Sequence, residues 1–446
     1  MRISWIEIPE RINHELQQRA EEGNDVAAFR REWDLISSGK TEEASFLAEA
    51  EKFYRKLEAT PSIVKNAVHE PSEWNAIVSC CRVSKNPIPV FPASFIEDRI
   101  AGGWLGRSAG CLLGKPIEKH PRSGIIELLS SNGTWPINNF ITAQGIPETL
   151  LKKYPWNRHY GKESLKENIV CMPEDDDMNY PMLNLSTFAQ YGEVFTPEHV
   201  LRTWLEMAPV LSTFTAERVA YLNRLNGIEP PQTASVLNPY REWIGAQIRA
   251  DFWGWISPAM PARAAEFAWR DASISHLRNG MYGEIFFAAA IAAAFQYSDT
   301  KSVIEEALKY VPPRSRFAEA ITFVLSLPIQ NQPWDVTVNS LYTTFGSYHW
   351  VHTINNAALV TAALLSSNGE YERAICNVVM GGWDTDSNGA TVGSIMGTML
   401  GAKQLPSKWI GPLNNEIRTG LKGYDRFSIT ALASKTAACA KFTPKN

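Results

Sequence analysis

The sequence predicts an all-α protein, with a many-helix domain over residues 96–446 that follows a helical N-terminal extension over residues 1–95. Apolar residues recur at helical spacing, as in Met178, Met182, Leu185 and Phe188. The period-two alternation of strands is almost absent, and prolines fall between the periodic stretches, where they end helices. These observations indicate many short helices packed around one core.

The composition excludes several classes of protein. The chain has 446 residues, of which 45% are hydrophobic and 20% charged, so it is neither disordered nor collagen-like. A net charge of -4 offers no basic surplus for nucleic acid, and we expect no such partner. Its six cysteines include no CxxC pair and predict neither a disulfide framework nor a zinc site. Apolar stretches too short for a bilayer, and a start without a signal-peptide core, predict a cytoplasmic protein with no membrane partner.

The N-terminal extension is charged and helical in pattern between residues 12 and 58, and Thr41 suits the N-cap of a helix. A proline-rich link at residues 86–92 follows it. Prolines this close together cannot lie inside a helix, so we expect the domain boundary there. The residues of the extension do not predict its role.

Two glycine runs with a spacing of four predict two central helices. They are Gly102, Gly106, Gly110 and Gly114, and then Gly389, Gly393, Gly397 and Gly401. Glycine inside a helix costs about 1 kcal/mol relative to alanine, so such runs need a compensating reason. A ridge without side chains lets another helix or a ligand come near the backbone, and we expect two tightly packed central helices, with packing on each other as one arrangement. The alanine-rich run at residues 288–294 predicts a further buried helix.

Two carboxylates stand just before the second glycine run. Asp384 and Asp386 follow a Gly-Gly pair that favours a turn, and we expect the helix to begin after them, near Ser387 or Asn388. In such a turn both carboxylates and the Ser387 hydroxyl can face one point. Ligands with only oxygen atoms suit Mg²⁺, Mn²⁺ or Ca²⁺ rather than zinc.

A second acidic run, Glu-Asp-Asp-Asp at residues 174–177, precedes a helix that we expect to begin near Met178. One or two acids stabilise a helix N-terminus by about 0.3–1 kcal/mol each, but four in succession repel each other unless a cation lies among them. Together with the later aspartate pair, this run predicts a shared site with two metal ions. Glu118 follows the first glycine run and Pro116, in a turn from which its carboxylate can point back towards the ridge.

These segments resemble the motifs of the ADP-ribosylglycohydrolase family, of the dinitrogenase-reductase-activating type. The motifs are Gly-x3-Gly-x3-Gly-x-Pro-x-Glu, an acidic run before a helix, and Gly-Gly-x-Asp-Thr-Asp-Ser before a Gly/Ala-rich helix. The resemblance covers about residues 98–425 and implies a compact many-helix domain with two Mg²⁺ (or Mn²⁺) ions. In that family the ions hold the ribose hydroxyls of an ADP-ribosyl group, whose N- or O-glycosidic bond is hydrolysed.

The resemblance also implies roles for individual residues. The implied metal ligands are Glu174, Asp175, Asp176, Asp384, Asp386 and Ser387. The general base is expected to be Glu118 or one of the middle aspartates, such as Asp176. The family's usual middle motif is Thr-Asp-Asp-Thr, so the ligands could instead be Asp175, Asp176 and Asp177.

Substrate contacts are expected from a further set of residues, which are Asp177, His276, Asn279, Gly280, His352 and Trp383. Trp253 joins Trp383 as a candidate wall of the cleft. His349 and His352 lack a third nitrogen or sulfur ligand, so we do not expect a softer metal there. Arg249 and Asp251 are alternatively a structural ion pair.

The expected partner is an ADP-ribosylated protein or a small riboside. Both threonines of the family's middle motif are acids here, and their negative charge favours an uncharged nucleoside or glycoside over a pyrophosphate. A hydrolase of another small nucleoside or glycoside is therefore one alternative, and a non-catalytic binding or structural homologue is another. The sequence does not predict the oligomeric state.

Overall fold

The protein is built almost entirely from α-helices, which confirms the predicted all-α fold. The structure is a computed structural model that describes residues 3–39, 42–62, 67–81 and 89–440. Thr41 and the first half of the proline-rich link lie outside these residues. The extension contains the helices α1 Ile8–Glu21, α2 Ala27–Ser38, α3 Glu43–Ala59 and α4 Trp74–Cys80.

The remaining helices belong to the domain. They are α5 Ala93–Gly114, α6 Arg122–Ser130, α7 Glu148–Lys153, α8 Asp176–Tyr191, α9 Pro197–Met207, α10 Thr215–Leu225, α11 Ala250–Trp255, α12 Pro261–Ala272, α13 Arg278–Ala293, α14 Thr300–Leu308, α15 Arg316–Ser326, α16 Trp334–Phe345, α17 Thr353–Ser366, α18 Tyr371–Met380, α19 Thr385–Leu400, α20 Ser407–Ile410 and α21 Ile429–Ala440. Two short strands, β1 Glu416–Arg418 and β2 Arg426–Ser428, form an antiparallel pair in which Ile417 lies opposite Phe427.

The centre of the domain is the contact between α5 and α19, whose glycine ridges face each other as predicted. A Cβ atom added to Gly106 would collide with the carbonyl oxygen of Gly393, and one added to Gly393 would collide with that of Gly106. The same reciprocal relation joins Gly110 to Gly389. Each glycine therefore makes room for the opposite backbone, which offsets its low helix propensity. Gly401 lies just beyond α19, at a φ of +81°.

Apolar helices surround this pair. The periodic face of α8 is buried, as predicted, with Met178 and Met182 at 0% and 1% exposure. The alanine-rich run lies in α13, a helix that is buried on nearly every side. Among the described residues, no helix is both long and apolar enough to cross a bilayer.

The extension has a small core of its own and is docked on the domain through buried ion pairs. Glu15 and Glu22 of the α1 region accept hydrogen bonds from the Arg241 guanidinium at 2.5 and 2.8 Å. Glu22 also pairs with Arg278. On α1, Gln18 donates to Glu242 of the domain at 2.8 Å. Removing one partner from such a buried network leaves an uncompensated charge, so the extension is held firmly against the domain.

Replacement of Gly110 by alanine should force α5 and α19 apart, because the new methyl group would occupy the place of the Gly389 carbonyl. We expect the free energy of unfolding to fall by about 1–3 kcal/mol or more, measured by chemical denaturation. Gly411→Ala is the matched control, because a Cβ at Gly411 meets nothing within 4 Å. Equal stability of the two variants would contradict the ridge contact.

Candidate active site

The glycine contact brings three distant segments of the chain together. Where the first ridge ends, Gly114 lies against the start of α19, and the Thr385 hydroxyl donates to the Gly114 carbonyl at 2.8 Å. A short 3₁₀ turn over Lys115–Ile117 then leads to Glu118. The start of α8 is tied to the same place by Arg107 of α5, which donates to the carbonyl of Asp177 at 2.9 Å.

A first group of acids consists of Glu118, Asp384 and Asp386. One carboxylate oxygen from each lies within 4.8 Å of the others. Gly382 and Trp383 both have positive φ angles, of 82° and 56°, and so turn the chain to set Asp384 at the N-cap of α19. The helix begins at Thr385, earlier than the predicted Ser387 or Asn388, so Asp386 lies in its first turn.

A second group consists of Cys111, Asp175 and Asp177, again with one ligand atom each within 4.8 Å of the others. Asp175 caps α8 by accepting a hydrogen bond from the Asp177 amide at 2.8 Å, so the helix begins at Asp176 and not near Met178. Asp177 accepts from Arg107 at 3.0 Å and from the Ser387 hydroxyl at 3.1 Å.

Lys115 lies between the two groups, and sequence reasoning did not single it out. Its ammonium pairs with Asp175 and lies 3.5 Å from a carboxylate oxygen of Asp386. Burial disfavours the lysine charge, but the two aspartates outweigh it and raise the pKa of Lys115 well above its ordinary value. Burial likewise disfavours the charge of Asp175, but Lys115 lowers the pKa of that carboxyl. The only signal in the sequence was a lysine inside the Gly-x-Pro-x-Glu motif.

Glu118, Asp176 and Asp384 have raised pKa values. Burial, followed by the Asp386 charge, raises the pKa of Glu118 to about 7. Burial and then the neighbouring Asp386 raise the pKa of Asp384 well above its ordinary value, and burial and then Asp175 do the same for Asp176. Crowded acids with raised pKa values are typical of a site that binds a cation or transfers protons.

The first group fits a hard divalent cation. Its three side chains offer only oxygen, and the Oδ1 atom of Asp386 is buried without a hydrogen-bond partner among the described residues. The second group does not fit one. Both oxygens of Asp175 and both oxygens of Asp177 already accept hydrogen bonds, and burial raises the pKa of the Cys111 thiol well above its ordinary value.

A cleft runs past the first group. Its lining residues are Trp5, Lys115, Glu118, Lys119, His159, Asp176, Phe214, Thr215, Glu217, Ile244, Gly245, Ile248, Trp350, Val351, Asp384, Asp386 and Ser387. Five of the predicted site residues are therefore at the cleft, and Asp175 and Asp177 are buried behind it. Sequence reasoning missed the aromatic residues of this lining, since nothing in their local sequence marks them.

Glu174 lies apart from both acid groups. Its carboxylate accepts a hydrogen bond from Asn179 at 2.9 Å and lies 2.5 Å from the His159 ring. Asp175 and Asp177 converge in the second group, whereas Asp176 lines the cleft, so neither register of the middle motif forms a single ligand set among the described residues. A metal contact from Glu174 stays a prediction that this geometry does not favour.

Four predicted substrate contacts do not line the cleft, and two of them, Asn279 and His352, lie against acids of the N-terminal extension. Asn279 donates to Glu70 and Glu242 at 2.9 and 3.0 Å, and Gly280 packs against the Arg241 backbone. His352 caps α17 and accepts from the Ile354 amide at 3.2 Å. His276 is fully buried, and its ring nitrogen lies 2.9 Å from the Ser275 hydroxyl. None of the four lines the cleft.

The two tryptophans predicted to wall the cleft are also placed elsewhere. Trp253 is buried and donates to Asp271 at 3.0 Å, while Trp383 stacks on Tyr342 with ring centroids 4.5 Å apart. Both indoles are buried against these partners, and neither lines the cleft.

The predicted ion pair between Arg249 and Asp251 is wrong. Arg249 pairs with Glu217 at 2.6 Å and Asp271 at 2.9 Å, and Asp251 pairs with Arg107 at 2.7 Å. Both residues are nonetheless structural, as that alternative proposed.

A larger depression lies between residues 298–301 and 325–331, far from these acids in the sequence. Its single acid, Asp299, is occupied in capping α14, where it accepts from the Ser302 amide at 2.8 Å. We therefore assign the candidate site to the acidic cleft, where the carboxylates of Glu118, Asp384 and Asp386 converge.

The chain is similar in sequence to one known family. A sequence model of the family described as ADP-ribosylglycohydrolase matches residues 92–441. One solved structure, described as an ADP-ribosylglycohydrolase-related protein complex, is 17% identical and has a TM-score of 0.48. The match covers 78% of this chain and 99% of that one. No curated protein sequence matches significantly.

The acid groups predict a pH-dependent response to Mg²⁺. The pKa of Glu118 rises from its ordinary value of 4.5 to about 7 on folding, so the folded protein holds this proton more tightly than the unfolded chain. The stability of the cation-free protein should therefore decrease as pH rises from 4.5 to 7. Mg²⁺ requires ionised carboxylates, so it should raise Tm more at pH 8 than at pH 5.5.

Mg²⁺ at a hundredfold excess over its Kd should raise the free energy of unfolding by roughly 2.7 kcal/mol. Differential scanning calorimetry with Mg²⁺ or EDTA measures it. Asp386→Asn should abolish the response, and Asp335→Asn, at an exposed acid of α16, should retain it. A Tm that is unaffected by Mg²⁺ at either pH would contradict the assignment.

Proposed function

The chain belongs to the ADP-ribosylglycohydrolase family, and on that premise we propose that it hydrolyses the glycosidic bond at the anomeric carbon of an ADP-ribosyl group or related riboside. The single observation that carries the proposal is the convergence of Glu118, Asp384 and Asp386 in one cleft. Within the family, the dinitrogenase-reductase-activating type remains a prediction. A cytoplasmic location and an ADP-ribosylated protein or small riboside as partner are part of the same proposal.

Glu118, Asp384 and Asp386 would hold a divalent cation, Mg²⁺ or Mn²⁺. Such an ion, when bound, polarises and orients sugar hydroxyls. The residues around it have separate tasks. Ser387 holds Asp177 in place, and Arg107 of α5 fixes the start of α8. These contacts keep the acid groups in position without a rearrangement of the backbone.

Asp176 is the residue that we propose transfers a proton. It begins α8, is partly exposed in the cleft, and belongs to neither group of converging ligand atoms. A carboxylate without a ligand role is free to accept a proton from water or to donate one to the leaving group. Glu118 as the general base remains the alternative.

Activity and cation binding should separate these two roles. Asp176→Asn should lower kcat by roughly 10²–10⁴-fold while Mn²⁺ still binds, because only the proton transfer is lost. Asp384→Ala, Asp386→Ala and Glu118→Gln should lose both activity and Mn²⁺ binding. The assay measures release of the free sugar, ADP-ribose or ribose, from a panel of ADP-ribosylated peptides, ADP-ribose derivatives and nucleosides.

The outcomes are distinguishable. If Asp384→Ala and Asp386→Ala retained activity, the assignment of the site would be incorrect. If Glu118→Gln bound Mn²⁺ normally but lost activity, Glu118 and not Asp176 would be the base. Hydrolysis of nucleosides alone would favour the alternative substrate, which the five acids that line the cleft already support.

We further propose that the site takes one divalent ion and not the two that the family resemblance implies. The Lys115 ammonium contacts Asp175 and Asp386, one from each acid group, and supplies a positive charge where a second ion would otherwise be needed. The oxygens of the second group are already hydrogen-bonded, so an ion there would have to displace these partners first.

Equilibrium dialysis against Mn²⁺, with metal and protein quantified separately, should give one ion per wild-type chain. Lys115→Met removes the charge at similar length and should raise the number to two. Lys119→Met is the control, because Lys119 pairs with Glu118 at 3.3 Å and makes no ion pair with the second group. Two ions in the wild type, or one in both wild type and Lys115→Met, would contradict the role of Lys115.

A further inference from the structure

One residue of the N-terminal extension reaches the cleft. Trp5 lines it, although residues 3–91 lie outside the part of the chain that the family model matches. The indole touches Tyr240 and Trp243 edge-on, with centroids 5.7 and 6.1 Å away. It is only partly buried, so it packs on the domain and still presents surface to the cleft.

The backbone around Trp5 is held in an uncommon conformation. Trp5 has a φ of 71°, in the left-handed region that bulky residues rarely adopt and that costs of order 1–3 kcal/mol. Three hydrogen bonds hold it there: the Trp5 amide donates to Glu10 at 2.6 Å, Tyr240 donates to the Trp5 carbonyl at 3.1 Å, and Arg218 donates to the Ser4 carbonyl at 3.0 Å. Strain that is maintained by this many contacts is typical of a functional position.

Trp5 is one of several apolar residues in the lining, together with Ile244, Ile248 and Val351. Its neighbour Trp243 adjoins Ile244, and the Ile244 amide donates to the Val351 carbonyl at 2.9 Å. Trp350 and Phe214 complete the apolar part of the cleft. The cleft thus combines carboxylates, suited to a cation and a sugar, with aromatic faces, suited to a flat apolar ring.

We propose that the N-terminal extension is part of the substrate site and that Trp5 contacts the planar ring attached to the ribose, such as a nucleobase. This inference rests on the proposed function for the sugar half of the cleft, but the ring half can be tested without hydrolysis. The extension therefore determines specificity, and the ion pairs of α1 serve to hold Trp5 in place.

The test uses binding of a C-nucleoside such as pseudouridine, whose carbon–carbon bond to the sugar cannot be hydrolysed, with ribose as the ligand that lacks a ring. Isothermal titration calorimetry in the presence of Mg²⁺ should show tighter binding of pseudouridine than of ribose by the wild-type chain. Trp5→Ala and Trp5→Leu should lose roughly tenfold or more in affinity for pseudouridine and little for ribose. Trp5→Phe should retain most of the affinity.

Trp74→Ala is the matched control, because Trp74 also belongs to the extension and packs on a domain tryptophan, Trp269, outside the cleft. Trp5→Leu preserves apolar bulk, so an unchanged Tm in that variant separates ring recognition from misfolding. Equal binding of pseudouridine and ribose by the wild type, or unchanged pseudouridine affinity in both Trp5→Ala and Trp5→Leu, would overturn the inference.

The two proposals can fail separately. If pseudouridine binds through Trp5 but no riboside is hydrolysed, the proposed function fails and the inference about the extension stands. If ribosides are hydrolysed with the same KM by the wild type and by Trp5→Leu, the inference fails and the proposed function stands.

Discussion

The contact between the bare ridges of α5 and α19 is the constraint on which the site depends. Because Gly110 and Gly389 let the two backbones touch, the end of one helix arrives beside the start of the other. The turn after Gly114 then carries Glu118 to the aspartates that precede and begin α19. A side chain at any of these glycines would separate the carboxylates of Glu118, Asp384 and Asp386. The geometry of the candidate site is therefore a property of helix packing more than of any loop.

Much of this arrangement could be predicted from the sequence. Glycine at every fourth residue of a helix indicates close approach by another helix or a ligand, and four acids in succession indicate more than stabilisation of a helix N-terminus. The helix boundaries at Asp176 and Thr385 were missed by two or three residues, because an aspartate at an N-cap can be followed at once by further acids in the first turn. Local sequence cannot distinguish these cases, since the caps are selected by contacts across the domain.

The contacts that could not be predicted are those of residues that no motif marks. The sequence around Lys115 does not show that its ammonium contacts Asp175 and Asp386. Likewise, the sequence around Trp5 does not show that the extension places this residue in the cleft. His276 and Asn279 were expected at the substrate because polar residues in a motif suggest chemistry. The structure uses them to satisfy buried partners, because a buried ionic network needs amides and imidazoles as much as an active site does.

The ridge contact also has a consequence for how the protein is made. Thr385 and Gly114 are 271 residues apart, so the chain must be synthesised as far as α19 before the two helices can meet. Until then the nascent chain lacks Asp384 and Asp386, and the first acid group cannot form. Contacts this distant in sequence also form slowly, because the entropy cost of closing the loop comes before the favourable packing contacts form. A chain that ends before α19 should therefore lack the candidate site altogether, and we do not expect it to retain reduced activity.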